Sequence, residues 1–564
     1  MKNVIEKVYM ADFETTTDLD DCRVWASCLY DIATNECCHL SNNIDSFMRY
    51  CFTLARGSVI YFHNLKFDGN FIVSWLLRNG FTYDDEPRKP QTFRTIITDT
   101  GQWYDIEVTY KITGKKRPIA YKINFRDSLK KLNFPVRTIA KMFDLPISKG
   151  DIDYKAKREV GHELTDEEIS YITRDVEIVS LALKNQFEHG HVKMTTSSDA
   201  LSSYKESLGG ESEFLKQFPI LPMSQDDLIR KAYKGGWTYL KDGYSGKMVG
   251  EGCAYDVNSL YPSVMYYDLL PYGYPKEFEG EYEPNEMYPL FIQFISCEFN
   301  IKKDHLPCIQ LKNNARFMET EYLKSSGGEM VDLVVTSVDL ALIKDHYHLS
   351  NVEYHGGYMF RGKVGMFKKY LDFWAEIKEN ATGGLRTQAK LMMNSLYGKF
   401  ATNPVRQKKV PRLDENEVVK YSLHEETEIV DPIYTAMACF ITAYARDKTI
   451  RSAQNVYDRF IYADTDSIHL LGYDVPDIDI HHTRLGAWKH EGNFFKAKFI
   501  RAKTYMEHYI GHEHPEVKCA GMPDKVKKDV SFENFHKGAV FHGKLIPKTV
   551  KGGVVLVESD FTIK

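Results

Sequence analysis

The sequence predicts a multidomain α/β (α+β) protein, on three observations. At 564 residues the chain has room for roughly three or four folding units. Short runs of strand-forming residues end in carboxylates, as in Val8–Thr15 (VYMADFET) and Phe460–Leu471 (FIYADTDSIHLL), and alternate with helical stretches that carry capping signals. A Pro-containing connector, Phe218–Met223, divides the chain. Hydrophobic content of 43% and charged content of 27% are those of an ordinary soluble globular protein. The net charge of −5 excludes a polybasic nucleic-acid sponge, so any such contact must come from local basic patches. The 36 Tyr and 32 Phe suit base-stacking platforms and large cores equally. Ten cysteines include the adjacent Cys37-Cys38 but no Cys-x-x-Cys pair, which argues against a zinc knuckle, and the size argues against a disulfide scaffold. The start of the chain has no apolar signal core and no run approaches membrane-spanning length, so a soluble, reduced, cytosolic protein without a membrane segment is expected.

In chain order, Val8–Thr15 reads as a buried strand ending in Asp12-x-Glu14. The two acids share a face, because side chains two apart on a strand point the same way. Val24–Ile32 and Ser58–Phe62 are further strands, and the latter leads into His63-Asn64-Leu65-Lys66-Phe67-Asp68, with Asp68 opening a helix over Gly69–Arg78. Thr165-Asp-Glu-Glu168 is a capping box, with Thr165 at the N-cap and Glu168 three residues on. In the helix it starts, Tyr171 and Asp175 stand i, i+4 on one face. Each signal alone is weak: Asp-x-Glu is frequent by chance, and a helical Asp is usually just solvated.

Beyond the connector, Tyr233-Lys-Gly235-Gly236 has two glycines that let a backbone approach another chain closely; a plain tight turn is the alternative. Tyr255–Met265 (YDVNSLYPSVM) delivers Asp256 and Val257 on a strand, and Pro262 ends the tight segment that follows. Within the helix-prone Leu385–Lys399, Arg386, Lys390 and Asn394 recur every four residues as one polar stripe. Two cations on such a stripe suit a triphosphate, with Asn394 and Tyr397 nearer a nucleoside, although an exposed basic face is the commoner reason for this spacing. Lys378 lies one step further back, beyond Gly383-Gly384, which should interrupt the helix. In Phe460–Leu471, two apolar runs flank a hairpin turn, Asp464-Thr465-Asp466-Ser467. Its acids can converge on a divalent cation, which would offset the penalty of placing them on an apolar hairpin; an exposed Asp-rich turn is the plain alternative. Lys496, Lys498, Arg501 and Lys503 then form a basic stretch suited to a duplex backbone.

Taken together and in order, these segments resemble the motifs of family-B DNA polymerases that carry a DEDDy proofreading exonuclease. Asp12-x-Glu14, Asp68 and Tyr171-x-x-x-Asp175 resemble the three exonuclease motifs. They imply an RNase H-like fold in which the four acids hold two metal ions and Tyr171 orients a water. Thr15, His63, Asn64, Phe67, Ser128 and Leu129 match residues that grip a 3′ single strand, and Lys149 matches a catalytic lysine that would otherwise read as a solvated turn residue. YDVNSLYPS resembles motif A, with Asp256 and Val257 at the metals and Tyr261 beneath the sugar, excluding a ribose 2′-OH. KLMMNSLYG resembles motif B, which implies nucleotide contacts for Lys378, Arg386, Lys390, Asn394 and Tyr397. YADTDS resembles motif C, with Asp466 a metal ligand and Asp464 a ligand or a supporting acid. Tyr233-x-Gly235-Gly236 resembles the template-contacting YxGG motif, and Lys503-x-Tyr505 the KxY motif that steadies a primer end.

The spans 267–365 and 402–430 stand where protein-primed members of the family carry terminal-protein regions. The resemblance, which runs end to end, implies the following division: 1–196 exonuclease, 197–266 palm, 267–365 terminal-protein region one, 366–401 fingers, 402–430 terminal-protein region two, 431–521 palm again, and 522–564 thumb. It implies a protein-primed, replicative DNA-directed DNA polymerase with a 3′–5′ exonuclease, processive and strand-displacing, acting on a linear phage genome in the cytoplasm of an infected bacterium. Two Mg²⁺ ions per active site are implied, with Mn²⁺ able to substitute. The implied partners are template/primer DNA, dNTPs, a terminal protein, and phage single-strand and double-strand DNA-binding proteins. The chain departs from the family pattern at Ala463, at Arg386 where a lysine is usual, and in the body of the second insertion.

Three other readings compete. A nuclease-only protein with a degenerate palm would lack one of the polymerase Asp or Lys positions, and none is missing. A non-catalytic DNA-binding factor would show broken carboxylate sets and a basic net charge. A family-B polymerase primed only by RNA or DNA differs by lacking the inserted spans, so the resemblance alone argues against it.

Overall fold

A computed structural model describes residues 7–114, 116–147, 150, 152–154, 156–310 and 322–564. The N-terminal sheet has the strand order Glu36–Ser41, Val24–Asp31, Val8–Thr15, Ser58–Phe62, Ile119–Asp127, Trp103–Thr113, Thr92–Ile97, Thr82–Tyr83. Val8–Thr15 is central, antiparallel to Val24–Asp31 and parallel to Ser58–Phe62. Such a strand is covered on both faces, which explains its apolar content apart from the acids. Phe13, Phe62, Leu65, Phe71 and Ile72 pack on one side, while Met10, Cys28, Val176 and Val179 pack on the other, beneath the long helix Asp166–Glu188.

A second sheet is antiparallel throughout its main path: Glu516–Cys519, Thr504–Tyr509, Trp488–Arg501, Gly252–Val257, Ser467–Leu471, Phe460–Asp464, Thr238–Leu240. Helices Leu260–Tyr267 and Thr435–Asn455 share its principal core. The chain between Asp256 and Lys390 builds a third sheet from Leu270–Phe278, Tyr347–Lys363, Leu290–Ile301 and Val331–Thr336, with helix Ser337–His346 packed on it. Helices Lys368–Asn380 and Gly383–Ser395 then pack against each other.

Two later hairpins return to the N-terminal domain. In Lys409–Leu413/Val419–Leu423, Val419 is buried in the N-terminal core, and the Tyr421 hydroxyl donates to Asn70 Oδ1 at 2.8 Å. In Val540–Val550/Gly553–Thr562, Gly553 lies where a Cβ would stand 2.4 Å from the Phe71 ring, and Val554 enters the same core. Among the described residues no helix is long and apolar enough to cross a membrane.

Four local expectations need correction. The helix expected from Gly69 begins at Leu65, because Asn64 takes a left-handed turn (φ 85°) and the Asp127 carboxylate accepts the N–H groups of Asn64 and Leu65 at 3.2 and 3.3 Å. The second strand stops at Asp31, not Ile32. Pro262 does not end its segment but lies in the first turn of Leu260–Tyr267, where no backbone N–H is required. The glycine pair does not interrupt a helix but starts one: the break is at Ala381-Thr382, and the helix ends at Ser395, ahead of the short turn Tyr397–Phe400.

Candidate active sites

Asp256 lies directly opposite Ser467, at the end of a strand flanked by the acidic hairpin and by Trp488–Arg501. The N–H of Val257 donates to the Asp466 carbonyl at 2.7 Å, which ties the two acid-bearing segments together. The turn is tight: the Asp466 N–H donates back to the Asp464 carbonyl at 2.7 Å, and Thr465 is left-handed (φ 62°). Burial first, then the charges of Asp466 and Glu491, push the Asp256 carboxyl up to about 7. Burial also raises Asp466, with the Asp464 charge adding to it and a backbone N–H and Lys503 opposing. Asp464 is different, because Lys503 Nζ stands 2.9 and 3.2 Å from its two oxygens and the Thr238 hydroxyl donates at 3.0 Å. Its charge is met within the protein. Glu491, Thr238 and Lys503's partnership with Asp464 were missed from sequence, since none belongs to a periodic pattern.

Arg386, Lys390 and Asn394 form an exposed stripe on Gly383–Ser395, opposite the buried Gln388, Ala389, Met392 and Met393. The break at Ala381-Thr382 folds Lys378 back beside them. Burial first, then the positive charges of Lys390 and Arg386, lower the Lys378 ammonium, and Arg386 donates to the Lys378 carbonyl. Cations that crowd each other in this way are prepared for a polyanion. Tyr261 stacks on Tyr397 with ring centroids 4.0 Å apart and planes at 20°.

The Tyr233–Gly236 loop abuts the acidic hairpin. A Cβ on Gly236 would stand 2.6 Å from Thr465 Cγ2, and the Thr465 N–H donates to the Trp237 carbonyl at 2.7 Å. The close approach expected of this glycine is thus made to the chain itself, whereas Gly235 has open space. Burial, then the neighbouring Tyr397, raises the Tyr233 phenol. Arg446 donates to the carbonyls of Lys234 and Gly235 at 2.8 and 2.9 Å, and its guanidinium grips both oxygens of Asp339 at 2.7 and 2.9 Å. Helix Ser337–His346, through Asp339 and Arg446, therefore anchors this loop. Nearby, the Lys503 N–H donates to the Tyr462 hydroxyl at 2.8 Å, and the rings of Tyr462 and Tyr505 lie 5.1 Å apart.

The second set of acids gathers at the C-terminal edge of two parallel strands, the usual crevice of such sheets. Glu14, Asp68 and Asp175 are 8%, 3% and 5% exposed. Burial first, then the charges of Asp12 and Glu14, hold the Asp68 carboxyl well above its ordinary range. Tyr171, bonded to the Tyr154 hydroxyl, is raised by burial, by that bond, and by Glu14 and Asp175. Asp68 feels the charges of Asp12 and Glu14, and Tyr171 those of Glu14 and Asp175, so the four acids and Tyr171 are neighbours. His63 contacts the buried Ser128 hydroxyl at 2.9 Å and the Phe134 carbonyl at 2.8 Å; Asn64 is exposed, and Thr15, Phe67 and Leu129 are half-buried. Asp127, which sequence reasoning missed, organises this rim through its bonds to Asn64, Leu65 and Leu129 N–H groups. Lys149 lies outside the described residues.

Among the described residues no group of three or more His, Cys, Asp or Glu is arranged so that it could hold a metal ion. The donor sets nevertheless fit hard divalent cations. Both consist of carboxylate oxygens, and Asp68 Oδ1 is buried with no hydrogen-bond partner.

The chain matches the family described as DNA polymerase type B, organellar and viral, over residues 50–162 and 153–485. It is 48% identical to the DNA polymerase of Bacillus phage B103 over 99% of this chain and 100% of the relative. The DNA polymerase of Bacillus phage phi29 is 47% identical over 100% of both chains, and that of Streptococcus phage Cp-1 is 34% identical over 99% and 98%. Among solved structures, phi29 DNA polymerase complexed with primer-template DNA and incoming nucleotide substrates has a TM-score of 0.94 at 47% identity, covering 99% of this chain and 100% of that one.

Proposed function

The chain belongs to the type B DNA polymerases of organelles and viruses, and from that membership we propose that it replicates a linear phage genome from a terminal protein and proofreads at a second site. The observation that carries this reading is two carboxylate centres in one chain, one at the edge of each large sheet: Asp256 with Asp466, and Asp12 and Glu14 with the helical Asp68 and Asp175.

DNA polymerases generally use divalent metal ions. Here Asp256, Asp466 and the Val257 carbonyl would hold two Mg²⁺ ions, with Mn²⁺ able to substitute, and Asp464 would support the turn through Lys503. When bound, such ions lower the pKa of the attacking hydroxyl and neutralise charge on the departing pyrophosphate. Arg386, Lys390 and Lys378 bind the triphosphate, and Asn394 and Tyr397 the nucleoside. Tyr261, braced by Tyr397, blocks a ribose 2′-OH. Lys503 and Tyr505 steady the primer end, while Tyr233, Gly235 and Gly236 border the template.

At the other centre, Asp12, Glu14, Asp68 and Asp175 would hold a second pair of ions. Tyr171 orients the attacking water and Lys149 offsets charge at the scissile phosphate. Thr15, His63, Asn64, Phe67, Ser128 and Leu129 hold the 3′ strand.

The 402–430 hairpin and the C-terminal hairpin both reach back to the N-terminal domain, and Lys551 pairs with Glu417 between them. A ring of contacts suits processive, strand-displacing synthesis. The partners are template/primer DNA, dNTPs, a terminal protein, and phage single-strand and double-strand DNA-binding proteins, and the setting is the cytoplasm of an infected bacterium. Mixing the protein with a candidate terminal protein, origin DNA, Mg²⁺ and one labelled dNTP should yield a protein–nucleotide adduct that Asp256→Ala and Asp466→Ala abolish. Normal primer extension without any adduct would leave the polymerase and remove protein priming.

A further inference from the structure

Cys28 and Cys37 stand apart from everything assigned so far. Cys28 is buried in the Val24–Asp31 strand, and Cys37 is exposed on Glu36–Ser41, the edge strand of the N-terminal sheet. Their sulfurs lie 3.7 Å apart, both as free thiols. The reason is a register irregularity between Leu29 and Tyr30, which leaves Cys37 opposite Tyr30. Cys28 and Tyr30 are two apart and share a face, so Cys37 becomes the diagonal neighbour of Cys28.

Two further observations give the pair chemical and functional meaning. Cys37 is open to solvent and Cys28 is not, so a small disulfide reaches Cys37 first, and the exposed member is the nucleophile and the buried one the resolving thiol. Across the sheet, Cys28 is the direct cross-strand partner of Asp12, and it belongs to the core beneath the helix that carries Tyr171 and Asp175.

We propose that Cys28 and Cys37 form a reversible dithiol–disulfide site for low-molecular-weight disulfides, and that closing it slows the Asp12 centre while leaving synthesis intact. The second half rests on the exonuclease reading given above. The Cys37 thiolate attacks one sulfur of the small disulfide, whose S–S bond breaks and releases one thiolate. Cys28 then gives up its proton to solvent and attacks the Cys37 sulfur of the mixed disulfide, and the second small thiolate leaves. The protein loses two electrons and two protons, and the small disulfide becomes two thiols. A reduced cytosol keeps the pair open, so closure reports oxidation, as transient cytosolic disulfides do.

Closure brings the sulfurs from 3.7 Å to about 2.0 Å. The edge strand, paired on one side only, takes part of that movement, and Cys28 takes the rest beside Asp12. Displacements near 1 Å at a reacting centre lower rates by up to about a hundredfold.

The test exposes the full-length protein to oxidised glutathione, then combines non-reducing peptide mapping with assays of single-stranded DNA degradation and of primer extension. The expected result is a Cys28–Cys37 linked peptide, a loss of degradation of about tenfold or more that dithiothreitol reverses, and unchanged extension. Cys37→Ser should keep its degradation under the oxidant. Glutathione retained on Cys37 without a linked peptide, or a linked peptide with undiminished degradation, would overturn the proposal. Should the reduced protein not degrade single-stranded DNA, the exonuclease reading falls, and the linked peptide still decides the disulfide.

Discussion

Lys503 and Asp464 are joined at two points, with the ammonium nitrogen 2.9 Å from one carboxylate oxygen and 3.2 Å from the other. The pair separates the acids of one turn by role. Asp464 has its charge met by Lys503 and Thr238, while Asp466 faces Asp256. Asp466→Asn should lower primer extension by at least about a thousandfold, or about 4 kcal/mol in the barrier. Asp464→Asn should fall well short of that, with Lys503→Ala lowering extension alongside it. Equal losses in single-turnover extension for Asp464→Asn and Asp466→Asn would contradict this division.

The Asp256 carboxyl is raised from 3.8 to about 7, chiefly by burial and next by Asp466. In the unfolded chain it ionises earlier, so its ionisation favours unfolding. The destabilisation sets in above the unfolded value, grows with pH, and is complete above the folded value. In a chelator at pH 8, Asp256→Asn should therefore melt higher than the wild type, and the gain should fade as the pH is lowered towards 4. Mg²⁺ should stabilise the wild type and not the variant. Thermal melts across this range, with and without chelator, decide the matter.

Gly236 and Gly235 should respond differently to alanine. A Cβ at Gly236 meets Thr465 at 2.6 Å and presses on the acidic turn, whereas one at Gly235 meets no atom within 4 Å. Gly236→Ala should destabilise the protein by about 1–3 kcal/mol and depress extension even at saturating DNA. Gly235→Ala should leave the melting temperature alone and act through the affinity for DNA. A calorimetric scan and a DNA titration of both variants separate the two effects.

Tyr397 braces the Tyr261 ring in a stack with centroids 4.0 Å apart, and the proposed gate depends on that ring. Tyr261→Val should raise ribonucleotide incorporation relative to deoxyribonucleotide by about a hundredfold. Tyr397→Leu should give a smaller rise, because it removes the brace and leaves the gate. Competition assays with paired rNTP and dNTP would read the ratio directly.

Tyr421 bonds Asn70 at 2.8 Å and sets its ring edge-on to Trp103 at 5.5 Å, which docks the 402–430 hairpin on the N-terminal domain. Tyr421→Ala should shorten the products made per binding event while leaving single-nucleotide insertion unchanged. Full-length products in the presence of a DNA trap would argue against this contact as a support for processivity.

Several elements were legible from local chemistry alone. Val8–Thr15, Ser58–Phe62 and the Phe460–Leu471 hairpin follow from strand-forming runs and a polar turn, and Thr165 caps its helix with both bonds of the capping box. The start of the helix at Leu65 was not legible, because its cap is Asp127, a residue distant in sequence. The Gly383-Gly384 pair misled for a related reason: these glycines pack against Phe143 and Asp144 of the N-terminal domain, and that contact favours a helix beginning there.

By itself, the sequence determined the kind of chemistry this protein can do, because the identity and order of its acids, cations and aromatic residues are covalent facts. Only the tertiary structure decided which of them share a charge. Asp464 turned to Lys503, Glu491 to Lys489, Asp466 came beside Asp256, and Lys378 folded back to Arg386 and Lys390. Electrostatic interaction depends on distance through space and on burial, neither of which spacing along the chain records.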